Sequence, residues 1–185
     1  MRLKPMIFFT VVGFLAALMI AQEYRGPGPT LEGYPAPPFE LADENGQVVS
    51  LDDYRGKLLF LNFWATWCAP CVDEIPDMMA LKAQYEGRPF EMLAVSVDTR
   101  WSLVRDFYAE HGFDLPTRLD PGRQVALDYR ATGYPETFLI DGNGIIARKY
   151  IGPRAWTDPQ IIAEVEGLVR VEEQRMFGIN NQAGD

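Results

Sequence analysis

The stretch KLLFLNFWATWCAPC, Lys57–Cys71, determines how this chain folds. Its first half is an almost unbroken apolar run, which is typical of a central strand covered on both faces. Its second half contains Cys68 and Cys71, the two cysteines of the sequence. A helical pattern follows from Cys68 to about Tyr85. The stretch therefore predicts a buried strand that leads directly to a pair of cysteines at the start of a helix.

The spacing of the two cysteines favours redox chemistry over a structural role. A disulfide across so short a loop stabilises a fold by only about 2 kcal/mol in the chain-entropy model. Structural zinc requires four Cys or His ligands, and the one histidine, His111, lies far away at a predicted helix end. A helix N-terminus, in contrast, stabilises a thiolate on Cys68. Cys71 can then attack a mixed disulfide on Cys68 and release the partner, so we expect no metal and no cofactor.

The rest of the chain predicts a mixed sheet flanked by helices. Buried strands that alternate with helices indicate a parallel core, and an apolar hairpin near the end adds antiparallel strands. A shorter hairpin is expected before the core. These predicted elements are an N-terminal hairpin in Phe39–Leu51, a strand in Phe90–Asp98, a helix in Arg100–Gly112, a short helix in Arg123–Arg130, the late hairpin in Thr137–Gly152 and a helix in Asp158–Gln174.

The N-terminal segment has the pattern of a membrane anchor. Arg2 and Lys4 precede an uncharged apolar run, Met6–Ala21, and no clear small-residue cleavage site ends it. A cleaved export signal and a buried core helix are the alternatives. We interpret it as an uncleaved, single-pass membrane anchor, with its start in the cytoplasm and the domain on the other side of the membrane. The predicted organisation is an anchor over 1–21, a Pro/Gly-rich linker over 22–38, a domain over 39–177 and a flexible tail over 178–185.

Composition and charge exclude some partners. The sequence has 185 residues and 48% of them are hydrophobic, which suits one domain with a substantial core. Its net charge is −9 at pH 7, and every acidic residue follows Ala21. Because an acidic surface repels phosphates, we expect no nucleic-acid partner.

Three segments together resemble a known family. FWATWCAPCVDEIP (Phe63–Pro76) is similar to the active-site segment of exported thioredoxin-like proteins of the TlpA/ResA/CcmG (DsbE) group. PAPPFEL (Pro35–Leu41) resembles their domain entry, and GYPETFLIDGNGIIARKYIG (Gly133–Gly152) resembles their second active-site segment. The resemblance implies the thioredoxin fold, and a cis peptide before Pro135 that faces the cysteines.

The resemblance also assigns roles to two acids. Glu74 follows Cys71 by three residues, where the family carries an acid near the cysteines. Ordinary thioredoxins carry a buried Asp at the position of Asn62, which cannot titrate, so any acid–base role passes to Glu74. Glu136, in G-x-P-E-T-F, is like the cytochrome c maturation branch, CcmG. The alternatives are a solvated first-turn acid for Glu74 and a surface turn residue for Glu136.

The candidate site therefore combines catalytic and substrate-binding positions. Cys68, Cys71 and Glu74 are predicted to be catalytic. The predicted substrate contacts are Trp67, Tyr134, Pro135 and Glu136. Acids around the pair, which include Asp73 and Asp77, disfavour a thiolate, so the dithiol is less stabilised and the protein is expected to donate electrons.

Together with the resemblance, the sequence predicts a reductase of protein disulfides that serves cytochrome c maturation. We expect it to be tethered to a bacterial inner membrane, with its domain in the periplasm. Its expected partners are cysteine-containing proteins, namely apocytochrome c or its maturation partner, and a dithiol electron donor in the membrane. One alternative is a reductase for another exported client. Another is a non-catalytic module that binds cysteine peptides or copper, with Met78 and Met79 as candidate ligands. A peroxide-reducing enzyme is disfavoured because Ala65 stands where a threonine would be needed.

Overall fold

The computed structural model describes residues 31–178, and a five-stranded mixed sheet forms its centre. Two strands, β1 (Glu40–Ala42) and β2 (Val48–Ser50), form a separate hairpin. The strands of the central sheet are β3 (Leu58–Trp64), β4 (Phe90–Ser96), β5 (Thr117–Leu119), β6 (Glu136–Ile140) and β7 (Ile146–Ile151). Their spatial order is β5, β4, β3, β6, β7, so β3 is central, as its apolar run predicts.

The central sheet is parallel on one side of β3 and antiparallel on the other. Strand β4 runs parallel to both β3 and β5, whereas β6 runs antiparallel to both β3 and β7. All seven residues of β3 are buried, because both of its faces are covered. Strand β5 is an addition to the predicted elements. It has only three residues, and only its first is buried, so its sequence carries no strand pattern.

Four helices accompany the sheet within the described residues. They are α1 (Ala69–Gln84), α2 (Trp101–His111), α3 (Gln124–Asp128) and α4 (Pro159–Met176). Helix α2 ends at Gly112 as predicted, where the backbone takes a φ of 67°, a conformation that glycine adopts without strain.

Helices α1 and α4 pack on the same face of the sheet. The Tyr85 hydroxyl, just after α1, donates to the Ile162 carbonyl of α4 at 3.3 Å. On that face the ring of Phe60 meets Trp156 edge-on, with 4.6 Å between centroids. Because side chains alternate along a strand, Phe63 points to the opposite face, where it packs against Tyr129. The mixed sheet flanked by helices is the architecture that the family resemblance implies.

The folded domain begins earlier than predicted. The β1–β2 hairpin confirms the predicted N-terminal hairpin, but residues 31–38 of the predicted linker are also packed. Leu31 is buried, and Gly33 and Ala36 donate backbone hydrogen bonds at 2.8 Å to the carbonyls of Ile146 and Gly144. Residues 31–36 are therefore part of the packed domain in the described structure, because they pair with the residues at and just before the start of β7.

Other predicted segments lie outside the described residues. They are the anchor over 1–21, the rest of the linker and all but the first residue of the tail. Between residues 31 and 178, the structure contains no helix that is both long and apolar enough to cross a bilayer.

Candidate active site

The two cysteines form a disulfide at the junction of β3 and α1. Cys68 is the residue that caps the N-terminus of α1, and its carbonyl accepts hydrogen bonds from the N–H groups of Cys71 and Val72 at 2.9 and 3.1 Å. Pro70 occupies the first turn, where its missing N–H costs little. Cys68 is 6% exposed and Cys71 only 1%. The pair thus has an outer cysteine at the positive end of the helix dipole and an inner, shielded one.

The second predicted segment lies at the same end of the sheet. Phe63 pairs with Glu136 across β3 and β6, which places Pro135 beside the end of β3. The peptide bond between Tyr134 and Pro135 is cis, as the resemblance implies. Trp67, which is 66% exposed, contacts Tyr134 edge to face with 6.1 Å between the ring centroids. The structure therefore brings the predicted contact residues Trp67 and Tyr134 into contact with each other, and each is followed in the chain by another predicted site residue, Cys68 or the cis Pro135.

Glu74 is an interior residue rather than a solvated helix acid. Its side chain is 3% exposed, and its carboxylate accepts three hydrogen bonds. Asn62 donates from its side-chain amide at 3.0 Å, and the Arg154 backbone N–H and the Trp156 indole N–H both donate at 3.1 Å. The Glu74 carboxyl therefore lies beside Asn62, which stands at the position where ordinary thioredoxins carry a buried acid.

Burial changes the ionisation of Glu74. Desolvation raises its pKa to about 7, although the N–H groups of Arg154, Trp156 and Asn62 favour the charged form. The carboxyl group therefore exchanges its proton near neutral pH. This corrects the predicted electrostatics, because the acids near the cysteines are not all fixed negative charges.

Glu136 is buried, whereas it was expected to be a substrate contact or, alternatively, a surface turn residue. Its side chain is 0% exposed, and one carboxylate oxygen accepts from the N–H and the hydroxyl of Thr132, both at 2.7 Å, and from the Gly133 N–H at 3.2 Å. The other oxygen lies 2.8 Å from the ammonium of Lys149, which is itself 2% exposed. The carboxylate therefore binds the loop before Pro135 and does not line the surface.

Three residues near the site were missed by the sequence analysis. Asp98 accepts hydrogen bonds at 2.9 Å from the N–H and the hydroxyl of Thr66, just before Trp67. Lys149 neutralises Glu136, and Trp156 binds Glu74. A signal existed for Asp98, because it follows β4, and the carboxyl ends of adjacent parallel strands meet at one edge of a sheet.

This arrangement can perform thiol–disulfide exchange. The outer cysteine lies at a helix N-terminus, the inner cysteine can resolve a mixed disulfide, and an acid with a pKa near neutrality lies one helical turn from the inner sulfur. The aromatic side chains Trp67 and Tyr134 form a rim beside the disulfide, where a polypeptide can make contact.

Comparison with known proteins agrees with this chemistry. Residues 33–149 match the model of the AhpC/TSA family. The chain is 35% identical over 156 residues to the thiol-disulfide oxidoreductase ResA of Bacillus subtilis, an alignment that covers 80% of this chain and 87% of ResA. It is 42% identical over 120 residues to ResA of Geobacillus kaustophilus, which covers 65% of this chain and 69% of the relative.

Solved structures support the same assignment. A protein of Chlorobium tepidum assigned as the thiol:disulfide interchange protein DsbE superposes with a TM-score of 0.66 at 32% identity, and the match covers 76% of this chain and 96% of that one. StoA of Bacillus subtilis, at 21% identity and a TM-score of 0.59, shares the fold. With its Cys68–Cys71 pair, the chain therefore belongs to the thioredoxin-like AhpC/TSA family, in its TlpA/ResA/CcmG group, and is a thiol-disulfide oxidoreductase.

Proposed function

We propose that this oxidoreductase works as a reductase of protein disulfides in cytochrome c maturation. Its substrate is the disulfide between the haem-site cysteines of apocytochrome c, or that of a partner which passes electrons to them. A dithiol donor in the membrane returns the enzyme to its reduced form. The domain acts in the periplasm and is tethered to the inner membrane by the apolar segment over 1–21.

The observation that carries the proposed reductase mechanism is the buried Glu74. Its pKa of about 7 makes it a proton acceptor for a thiol at neutral pH, and it follows Cys71 by three residues on α1. Residues three apart on a helix have Cβ atoms about 5–6 Å from each other, so Glu74 and Cys71 are neighbours on one side of α1. Such a base favours the step in which Cys71 releases a reduced substrate.

The reaction proceeds through two exchanges. The Cys68 thiolate attacks one sulfur of the substrate disulfide, which breaks, and the other substrate sulfur leaves as a thiolate that takes up a proton. Cys71 then transfers its proton to Glu74 and attacks the Cys68 sulfur. The mixed disulfide breaks, the Cys68–Cys71 disulfide forms, and the second substrate thiol leaves. Two electrons have passed to the substrate, and Glu74 returns its proton to the leaving sulfur or to solvent.

The choice of a cytochrome c client is supported by the segment around Glu136. The G-x-P-E-T-F pattern is like that of the CcmG branch, and the Chlorobium tepidum protein assigned as DsbE has a similar structure. A general reductase for another exported client is the second candidate, and the similarity to ResA proteins fits it equally well.

A copper-binding module receives no support from the methionines. Met78 is buried in the core beneath α1 and Met79 is half-buried and packs against the same core. Neither residue is therefore a free ligand for an ion held by the cysteines.

The client is tested by trapping substrates on Cys71→Ser. Without the resolving thiol, Cys68 retains its substrate as a mixed disulfide. We expect the reduced variant to capture an oxidised peptide that contains a C-x-x-C-H disulfide, and Cys68→Ser/Cys71→Ser to capture none. If the peptide is not captured while other oxidised exported proteins are, the general reductase is the correct function.

A further inference from the structure

Two loops flank the disulfide, and each is held by one buried carboxylate. Asp98 accepts hydrogen bonds at 2.9 Å from both the backbone N–H and the hydroxyl of Thr66. Glu136 accepts hydrogen bonds at 2.7 Å from both the backbone N–H and the hydroxyl of Thr132. We call this arrangement, in which one carboxylate accepts from the N–H and the hydroxyl of the same threonine, the carboxylate–threonine clamp. It occurs once in each loop, as Asp98 with Thr66 and as Glu136 with Thr132.

The threonine of each clamp lies one or two residues before an aromatic residue of the rim. Thr66 is followed by Trp67, and Thr132 is followed, after Gly133, by Tyr134. The N–H of Gly133 also donates to the Glu136 carboxylate, at 3.2 Å. The hydrogen-bonded backbone therefore reaches the residue directly before Tyr134. The two aromatic rings then meet at 6.1 Å with an interplanar angle of 73°. The position of each ring is therefore coupled to a buried acid through a very short piece of backbone.

The carboxylates are themselves fixed to the sheet. The Ser96 hydroxyl donates to Asp98 at 2.7 Å, and the Asp98 N–H donates back to that hydroxyl oxygen at 3.0 Å. Glu136 begins β6 and pairs with the ammonium of Lys149 at 2.8 Å, and this ammonium also donates to the Arg130 carbonyl at 3.0 Å. Because both carboxylates are buried and each is bound to the sheet, the clamps transmit the geometry of the sheet to the two loops.

We propose that Asp98 and Glu136 are positioning residues that set the spacing of Trp67 and Tyr134, and thereby select extended polypeptide disulfides over small ones. Neither carboxylate touches the reacting sulfurs. The partner that fits this rim is a peptide with apolar or aromatic side chains next to its cysteine, because Trp67 offers an exposed flat ring beside Cys68. This inference depends on the thiol-disulfide oxidoreductase activity and does not depend on a cytochrome c client.

The test weakens each clamp without changing its shape. Thr66→Val and Thr132→Val remove the hydroxyl donor and keep the backbone N–H. The reduced protein, which supplies both electrons of one exchange, is assayed in single turnovers with two mixed disulfides of thionitrobenzoate, one on a cysteine inside an extended peptide and one on cysteamine. KM here is the substrate concentration that gives half of the maximal single-turnover rate. We expect the KM for the peptide to rise about two- to tenfold in each variant, the range for one lost hydrogen bond, while turnover of the cysteamine compound stays within about twofold.

Two comparisons separate positioning from a general loss of structure. Thr99→Val alters an exposed threonine next to Asp98 and should leave both substrates unaffected. In a Trp67→Ala background, Thr66→Val should add little, because the ring that it positions is gone. Equal losses on both substrates, an unchanged KM for the peptide in both valine variants, or full additivity with Trp67→Ala would each overturn the proposal.

Discussion

The side-chain amide of Asn62 lies 3.0 Å from the carboxylate of Glu74, deep between the sheet and helix α1. Asn62 also donates to the hydroxyl of Thr137 at 2.9 Å, so the amide connects β3, β6 and α1. The titrating group behind the cysteines is thus on the helix, and its partner on the sheet is neutral. Several measurable properties of the protein depend on this arrangement.

Glu74 should make the stability of the oxidised protein depend on pH. Its pKa rises from an ordinary 4.5 to about 7 on folding, so the favourable contribution is complete below pH 4.5 and is lost as the pH rises to 7. The loss is about 3 kcal/mol in the wild type, from about 1.4 kcal/mol per pKa unit. In Glu74→Gln, urea unfolding between pH 4.5 and 8 should show a much flatter profile.

The matched control for this measurement is Asp73→Asn, which removes an exposed carboxylate from the same turn of α1. Its profile should follow that of the wild type. If Glu74→Gln keeps the wild-type slope, the burial of Glu74 does not control its ionisation.

Glu74 should also tune the reduction potential, and more strongly at high pH. The negative charge of Glu74 disfavours the Cys68 thiolate, so Glu74→Gln should stabilise the dithiol and raise the potential. The shift is at most roughly 30 mV for each unit by which the thiol pKa changes. Below pH 6 the wild-type carboxyl is largely protonated, and the two proteins should converge. Redox equilibria against glutathione at pH 5.5 and pH 8 measure both values; a constant difference would contradict the argument.

Cys68 should be the nucleophile. It is the more exposed of the two sulfurs and lies at the helix N-terminus, whereas Cys71 is 1% exposed. We expect iodoacetamide to modify Cys68 of the reduced protein well before Cys71, as mapped by mass spectrometry of the digested chain. Faster labelling of Cys71 would reverse the assignment.

Loss of Lys149 should destabilise the fold strongly. Lys149→Met leaves the carboxylate of Glu136 buried without its cation, which typically costs about 3–5 kcal/mol. Urea unfolding of the oxidised protein measures this cost, and Glu136→Gln/Lys149→Met should recover part of it.

Lys57→Met is the control, because Lys57 pairs with Glu91 at 2.7 Å on the surface and the variant should lose at most about 1 kcal/mol. Equal effects of the two lysine changes would show that the buried pair is not special.

The apolar run over 6–21 should hold the protein in the membrane. We expect the full-length chain to stay in the membrane pellet after a high-salt wash, since a run of this length resists extraction that releases charged contacts. Recovery of a soluble form that begins near Gln22 would instead identify a cleaved export signal.

The sequence predicted the redox centre well because its signals are local. An apolar run, two cysteines and a helical period lie within Lys57–Tyr85, and each has its own pattern. The strand–helix junction, the late hairpin and the final helix were predicted for the same reason. Strand β5 was not predicted, because it has only three residues and they show no alternation of apolar and polar side chains. It forms by pairing with β4, which is a tertiary contact.

The environments of the acids could not be predicted in the same way. Glu74 is bound by Arg154 and Trp156, about 80 residues further along the chain, and no local pattern reports such a contact. The burial of Glu136 was not predicted, because Lys149, its counterion, reaches it from the neighbouring hairpin strand. A charged side chain can be buried only where other groups pair with it, and the fold is needed to identify those groups.

The segment over 31–36 also covers part of the outer edge of the sheet, where a second copy of the protein could otherwise pair. Strand β7 is an outer strand of the sheet, and an open outer strand invites pairing with the same strand of a second molecule. Here the N–H of Ile146 donates to the Tyr34 carbonyl at 3.0 Å, and that of Lys149 donates to the carboxylate of Glu32 at 2.8 Å. Both groups are consequently occupied within their own chain, so this stretch of the strand offers a second molecule fewer unpaired groups to which it could bond.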